Sequence, residues 1–308
     1  MRALVTGGAG FIGSNLVALL LDEGHDVVVL DNLSSGYREN LAALPRARFV
    51  EGDVRDASAL GTAAEGCEVL FHLAASVGNT RSIEHPIDDS DINVIGTLRV
   101  LEAARHGGAR KVVFSSSAGI FGELKTIPIR EDHPAEPDSP YGASKLGAEK
   151  LCLAYAKLYP LECVCLRYFN VYGVNQRYDA YGNVIPIFAH RALRGQPLVI
   201  YGDGEQTRDF VNVRDVAMAN YRAGLARGVS GAFNIASGTR ITINRLASMI
   251  ADTGGLDVAI EHGPPRQGDV RHSLADVSAA RNGFGFDPAV ALEDGLREYM
   301  AWAKRALV

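Results

Sequence analysis

The chain has 308 residues, 31 Lys and Arg against 36 Asp and Glu, a formal net charge of −5, and 47% hydrophobic residues. A mildly acidic chain with no basic run does not suit nucleic acid or an anionic membrane, so neither is expected as a partner. No apolar stretch approaches the roughly 20 residues of a membrane span; the run Leu16 to Leu21 soon meets Asp22, Glu23 and Gly24.

The chain opens Met1-Arg2-Ala3-Leu4-Val5-Thr6 and runs straight into a glycine-rich turn. There is no h-region or cleavage site of a signal peptide, so none is expected. Residues 3–6 read as a buried strand, followed by a helix with Ile12, Leu16, Leu19 and Leu20 on one face. Further strands are expected at 26–30, 48–51, 69–73, 111–115 and 163–167, and a helix presents Leu98, Leu101 and Arg105. Strand–helix alternation predicts an α/β fold with a doubly wound parallel sheet covered by helices on both sides. The pattern weakens after about Gly173. Helical stretches at 185–193, 213–225, 243–251 and 292–304 then alternate with loop-like segments around 178–182 and 263–268. This half reads as a smaller, irregular substrate-binding part.

Cys67, Cys152, Cys163 and Cys165 show no CxxC spacing, so no metal site and no disulfide framework is expected. Three of them sit in apolar-rich segments and read as reduced core residues, with the cytoplasm as the default compartment.

Gly7, Gly10 and Gly13 form a GxxGxxG pattern between the first strand and the first helix. Glycine lets the backbone turn tightly and approach a pyrophosphate, and the free amides of a helix start, here Phe11 and Ile12, favour its charge. A plain strand–helix turn would also hold such glycines; the context of a Rossmann-type sheet points to a dinucleotide. Asp31 ends the second strand, eighteen residues past Gly13, and Asn32 follows it. A carboxylate there accepts from both ribose hydroxyls and repels a 2′-phosphate, which favours NAD over NADP. Asp53 and Val54 end the third strand; Asp53 suits the adenine amino group, although a strand-end turn explains it nearly as well. After His72, which reads as structural, Leu73, Ala74 and Ala75 are small enough for a cofactor to pass close to the backbone.

Tyr141 and Lys145 are four residues apart, which on a helix places them on one face. A phenol has a pKa near 10, and an adjacent ammonium with a positive nicotinamide ring favours its phenolate. Such a phenolate can take a sugar hydroxyl proton while hydride leaves the same carbon. Ser115, Ser116 and Ser117 follow the fifth strand and offer a hydroxyl relay, or merely a solvated strand end.

Along essentially its whole length the chain resembles the extended short-chain dehydrogenase/reductase family, most closely its UDP-sugar 4-epimerases. The family opening TGGAGFIG stands at Thr6–Gly13, the YxxxK pair at Tyr141 and Lys145, and RYFN at Arg167–Asn170. The resemblance implies a catalytic role for Ser117, with Ser115, Asn93 and Tyr168 at the cofactor. It implies Asn170, Arg208 and Arg266 on the substrate diphosphate, Asp269 on the uridine ribose, and Asn183 and Val184 at the uracil. It further implies an NAD-binding domain over 1–170, to which about 209–237 returns, a mainly nucleotide-sugar-binding domain over 171–308, and a homodimer.

Two positions depart from the pattern: Val77 replaces a lysine found on the cofactor diphosphate, and Phe121 replaces the usual tyrosine. A bulky tyrosine of glucose/galactose enzymes is Ser273 here, which leaves room for a 2-acetamido group. The expected activity is NAD-dependent inversion at C4 of UDP-glucose and UDP-galactose, with the N-acetylhexosamines as further candidates. UDP-glucuronate epimerisation, 4,6-dehydration and a non-enzymatic NAD sensor are the alternatives. Against dehydration, Ala118-Gly119 stands where dehydratases carry an Asp-Glu pair.

Overall fold

A computed structural model of the chain describes residues 1–178, 183–265 and 270–306. Six strands alternate with helices in its first part: β1 (Arg2–Thr6), β2 (Asp26–Asp31), β3 (Arg48–Glu51), β4 (Val69–His72), β5 (Lys111–Ser117) and β6 (Glu162–Tyr168). A later strand, Gly231–Ile235, pairs with β6 and completes a seven-stranded, all-parallel sheet. From that strand the order is β6, β5, β4, β1, β2, β3. The direction of winding reverses between β1 and β4, and a crevice opens beyond the carboxyl ends of the strands at such a switch point.

Period-two alternation explains the layers. Val5, Val29, Phe71 and Leu166 pack on one face with the first helix (Phe11–Asp22) and the helix Val213–Leu225. Leu4, Val28, Leu70 and Cys165 pack on the other, with helices Ala57–Ala64, Gly96–Gly107 and Pro140–Leu158. Both faces are dry, so the strands read as continuous apolar runs. The four cysteines are free and buried.

β5 is longer than its apolar run suggests. It continues through Ser115 and Ser116, both buried, to Ser117. The Ser116 hydroxyl donates to the buried Glu149 carboxylate at 2.7 Å, which allows a polar strand end to enter the interior.

The second part has its own core of Tyr172, Ile185, Phe188, Leu246, Leu296 and Tyr299. Its helices are Val184–Leu193, Ile243–Gly254 and Leu292–Ala306. Three two-stranded pieces link it together: Asn170–Tyr172 with Phe210–Asn212, Thr207–Arg208 with Ile241–Thr242, and Leu198–Tyr201 with Ile260–Gly263. Strands of two to four residues carry no period-two signal, so the sequence did not reveal them. Among the described residues no helix is long and apolar enough to cross a membrane.

Candidate active site

The glycine loop is fixed by close approach. Gly7 has a φ of +71°, and a Cβ there would stand 2.6 Å from the Ala74 nitrogen. A Cβ on Gly13 would stand 2.1 Å from the Gly7 carbonyl. Only glycine allows the β1 turn, the first helix and the loop after β4 to meet this closely. The first helix is capped by Gly10 with no side-chain hydrogen bond, so the amides of Phe11 and Ile12 point from an uncapped N-terminus. Leu73 and Ala74 lie against this loop through bonds to the Thr6 carbonyl and hydroxyl, and Ala75 follows them.

Asp31 is buried, with one carboxylate oxygen accepting from the Ala9 amide at 2.9 Å and the other from Leu33 at 2.8 Å. It is thus locked beside the glycine loop. Asp53 is held by Arg55 at 2.9 Å and by Asn32 at 2.8 Å, and the Arg55 guanidinium pulls its carboxyl down to about 2. Asn32 is exposed and Val54 is buried against the β4 side. A tight cradle that any Cβ would fill, an uncapped helix start and a carboxylate at the second strand's end fit a dinucleotide with an unphosphorylated 2′ position.

Asn93 does not point into this cradle. Its side chain bonds both backbone groups of Ser76, the Asp89 carboxylate and the Ser144 hydroxyl. It fastens the loop after β4 to the helix Pro140–Leu158, and so acts from behind the cofactor loop. His72 is fully buried between the hydroxyls of Thr6 and Thr97; burial, aided by the Lys145 charge, lowers it to about 3, so it is neutral and structural.

The helix Pro140–Leu158 begins with Ser139 as N-cap, its hydroxyl accepting from Gly142, and Pro140 in the first turn. The Ser139 hydroxyl also donates to Asn79, and the Tyr141 amide donates to Ser82. Gly142 admits the chain at Gly119: a Cβ there would be 2.3 Å from the Gly119 carbonyl. The approach sets the Tyr141 ring and the Ser117 hydroxyl together beside Gly119, within 3.6 and 3.4 Å of where its Cβ would be.

The electrostatics differ from the simple picture of an ammonium beside a phenol. Burial pushes the Tyr141 phenol up, a hydrogen bond with Ser117 pulls it back, and the Asp89 charge raises it further. The Lys145 ammonium donates to the Ser115 carbonyl at 2.8 Å and lies 4.9 Å from the centre of the Phe114 ring. Burial lowers Lys145 to about 8, so it remains mostly charged at neutral pH. Burial thus outweighs the Ser117 hydrogen bond, which alone favours the phenolate.

Tyr168 lies opposite Ser117 in the sheet register, but its hydroxyl donates to Asn220 at 2.9 Å on the other face. Its phenol is thus tied to the helix Val213–Leu225.

Three further candidates meet around one short segment. The Asn170 amide donates to the Asp209 carbonyl at 3.1 Å, the Ser273 amide to the Thr207 carbonyl at 3.1 Å, and Arg208 lies between them. Asp209 was not foreseen. Its buried carboxylate gathers Ser237, Gly238 and Ala275, and burial raises its pKa. Beside this segment a cavity of about 550 Å³ is lined by Tyr201, Gly202, Gln206, Gly263, Pro265 and Arg271. Asn183 and Val184 start the helix Val184–Leu193. Arg266 and Asp269 lie outside the described residues.

A profile described as the NAD dependent epimerase/dehydratase family matches residues 3–236. This chain belongs to that family. Within it, UDP-glucose 4-epimerase of Mycolicibacterium smegmatis is 44% identical over 301 residues, covering 96% of both chains. The structure of Thermotoga maritima UDP-glucose 4-epimerase with UDP-glucose aligns over 100% of both chains, with a TM-score of 0.94 and 39% identity. That of UDP-N-acetylglucosamine 4-epimerase from Methanobrevibacter ruminantium, in complex with UDP-N-acetylmuramic acid, has a TM-score of 0.93 and 37% identity over 98% of this chain and 97% of that one.

Proposed function

We propose that this chain is an NAD-dependent UDP-sugar 4-epimerase that inverts C4 through a transient 4-keto sugar. The observation that carries the reading is the meeting of Tyr141 and Ser117 at Gly119, just past β5, with the buried Lys145 one helical turn on from Tyr141 and fixed on the Ser115 carbonyl. Support comes from relatives of nearly equal length that are UDP-glucose 4-epimerases.

The glycine loop, the amides of Phe11 and Ile12, and Asp31 would hold the dinucleotide. When bound, NAD would supply the hydride-accepting and hydride-donating chemistry at C4. Tyr141 takes the 4-hydroxyl proton and later returns it, with Ser117 holding the same oxygen. Lys145, fixed on the Ser115 carbonyl, stabilises the phenolate. Arg208, Arg266 and Asn170 would anchor the diphosphate, so that the keto sugar turns while its nucleotide stays fixed. Asp269 would take the ribose, and Asn183, Val184 and the cavity at Tyr201 the base. Ala118 and Gly119 provide no acid for elimination at C5 and C6, which favours epimerisation over dehydration.

Ser273 is small and lies beside Arg208's segment, so UDP-N-acetylhexosamines fit this reading as well. Ser273→Tyr is expected to lower kcat/KM for UDP-N-acetylglucosamine at least about tenfold more than for UDP-glucose. A panel of UDP-sugars with product separation measures this; equal losses for all sugars would remove the assignment of Ser273. A homodimer in the cytoplasm completes the reading. Val77, Ile83, Ile87 and Ile95 are exposed large apolar residues in one stretch of chain next to the Tyr141 helix, a fitting surface for a second copy.

A further inference from the structure

Asp89 is a fully buried carboxylate that the reaction scheme leaves unused. It lies in the short helix Pro86–Ser90, packed against the Tyr141 helix. One of its oxygens accepts from the Ser144 hydroxyl at 2.5 Å and the other from the Asn93 amide at 3.2 Å. Both donors are neutral. A carboxylate in a dry interior with neutral partners alone is costly unless a cation is within reach.

Lys145 has the complementary difficulty. It is 3% exposed, and its direct contacts are a carbonyl and an aromatic ring. It follows Ser144, the residue that Asp89 holds. The other ionisable groups around them are accounted for among the described residues. Glu149 is bound by both Nε and Nη2 of Arg167. His72 is neutral between two threonines, and Cys152 and Cys165 are buried thiols. Asp91 pairs with Arg55 and Glu102 with Arg105, while Arg81, Glu84, His85 and Asp88 are exposed; His85, one turn before Asp89, accepts from its amide through the backbone carbonyl.

We infer that Asp89 is the counter-ion that keeps Lys145 charged in its dry position, and so sets the pH window in which Tyr141 exchanges its proton. The inference rests on the catalytic reading of Tyr141 and Lys145. Asp89 is a positioning residue in it: it touches neither substrate nor cofactor, and acts through the field at two neighbours. A negative charge favours the protonated form of both, so it raises the midpoints at which the pair loses its two protons. Removing the charge while keeping the shape must move both midpoints to lower pH. Removing the Ser144 hydrogen bond while keeping the charge must not.

The test compares NAD-loaded wild type, Asp89→Asn and Ser144→Ala. The readouts are kcat for UDP-glucose against pH and ultraviolet titration of the phenolate, with Tyr141→Phe to assign the signal. In Asp89→Asn both limbs and the phenolate midpoint should fall by about one to two pH units. In Ser144→Ala they should stay in place. Lower activity at unchanged midpoints in Asp89→Asn would overturn the inference.

A stability cycle keeps the inference open to refutation if Asp89→Asn folds poorly. Lys145→Met should lower the urea midpoint strongly, and the Asp89→Asn/Lys145→Met double variant should recover toward wild type; additive losses would overturn the pairing. Normal turnover in Tyr141→Phe would end the catalytic reading but leave that cycle intact. An inert Tyr141→Phe with unmoved limbs in Asp89→Asn would end the counter-ion role alone.

Discussion

Tyr141→Phe should lower turnover of UDP-glucose by roughly 10²–10⁴-fold, the range that a positioned general base contributes, while NAD binding is retained. The phenol oxygen is the atom at stake. The ring packs beside Gly119 and stays in the variant, and neither the Ser139 cap nor the Tyr141 amide bond to Ser82 involves the Tyr141 hydroxyl. The fold and the glycine cradle are therefore untouched, and the loss should fall on kcat with little change in KM. Ser117 cannot replace the phenol, because an aliphatic hydroxyl has a far higher pKa and its neighbour Lys145 is committed to the Ser115 carbonyl. Steady-state kinetics with a measured NAD content check this, and near-normal kcat would remove Tyr141 from the chemistry.

Arg167→Leu should destabilise the protein by roughly 3–5 kcal/mol, the usual cost of leaving a buried charge without its partner. Glu149 is 0% and Arg167 5% exposed, and two of the guanidinium nitrogens meet the carboxylate, at 2.7 and 3.0 Å. The same guanidinium donates to the Glu131 carbonyl and lies over the Phe121 ring. Exchanging both partners for apolar residues, as in Glu149→Met/Arg167→Leu, should recover much of the loss. Urea unfolding of the two variants measures it. A single variant as stable as wild type would mean that water or another cation reaches Glu149. Activity should fall further than stability alone explains, because Glu149 also holds Ser116, next to the catalytic Ser117.

Much of the fold could be read from local pattern. β1, β2, β4 and β6 were legible to within a residue or two because each is an apolar run buried on both sheet faces; β3 was legible from Phe49 and Val50 alone, its two ends being exposed. The serine extension of β5 was hidden because what solvates it, Glu149, arrives 33 residues later in the chain. The glycine loop and the Tyr141–Lys145 pair were visible because their chemistry needs fixed spacing. Asp89, Asp209 and the true partners of Asn93 were not, since each depends on contacts between segments far apart in sequence. The Tyr141 phenol being raised rather than lowered was equally invisible: burial is a property of the assembled layers, not of the YxxxK spacing.

Isotope retention probes the proposed chemistry most directly. UDP-glucose deuterated at C4 is incubated with NAD-loaded protein in ordinary water, and the position of the label in the product is read by NMR. UDP-galactose that keeps its deuterium on C4 is the expected result, since the hydrogen leaves and returns within one closed site. Deuterium lost to solvent, or a product altered at any carbon other than C4, would contradict it.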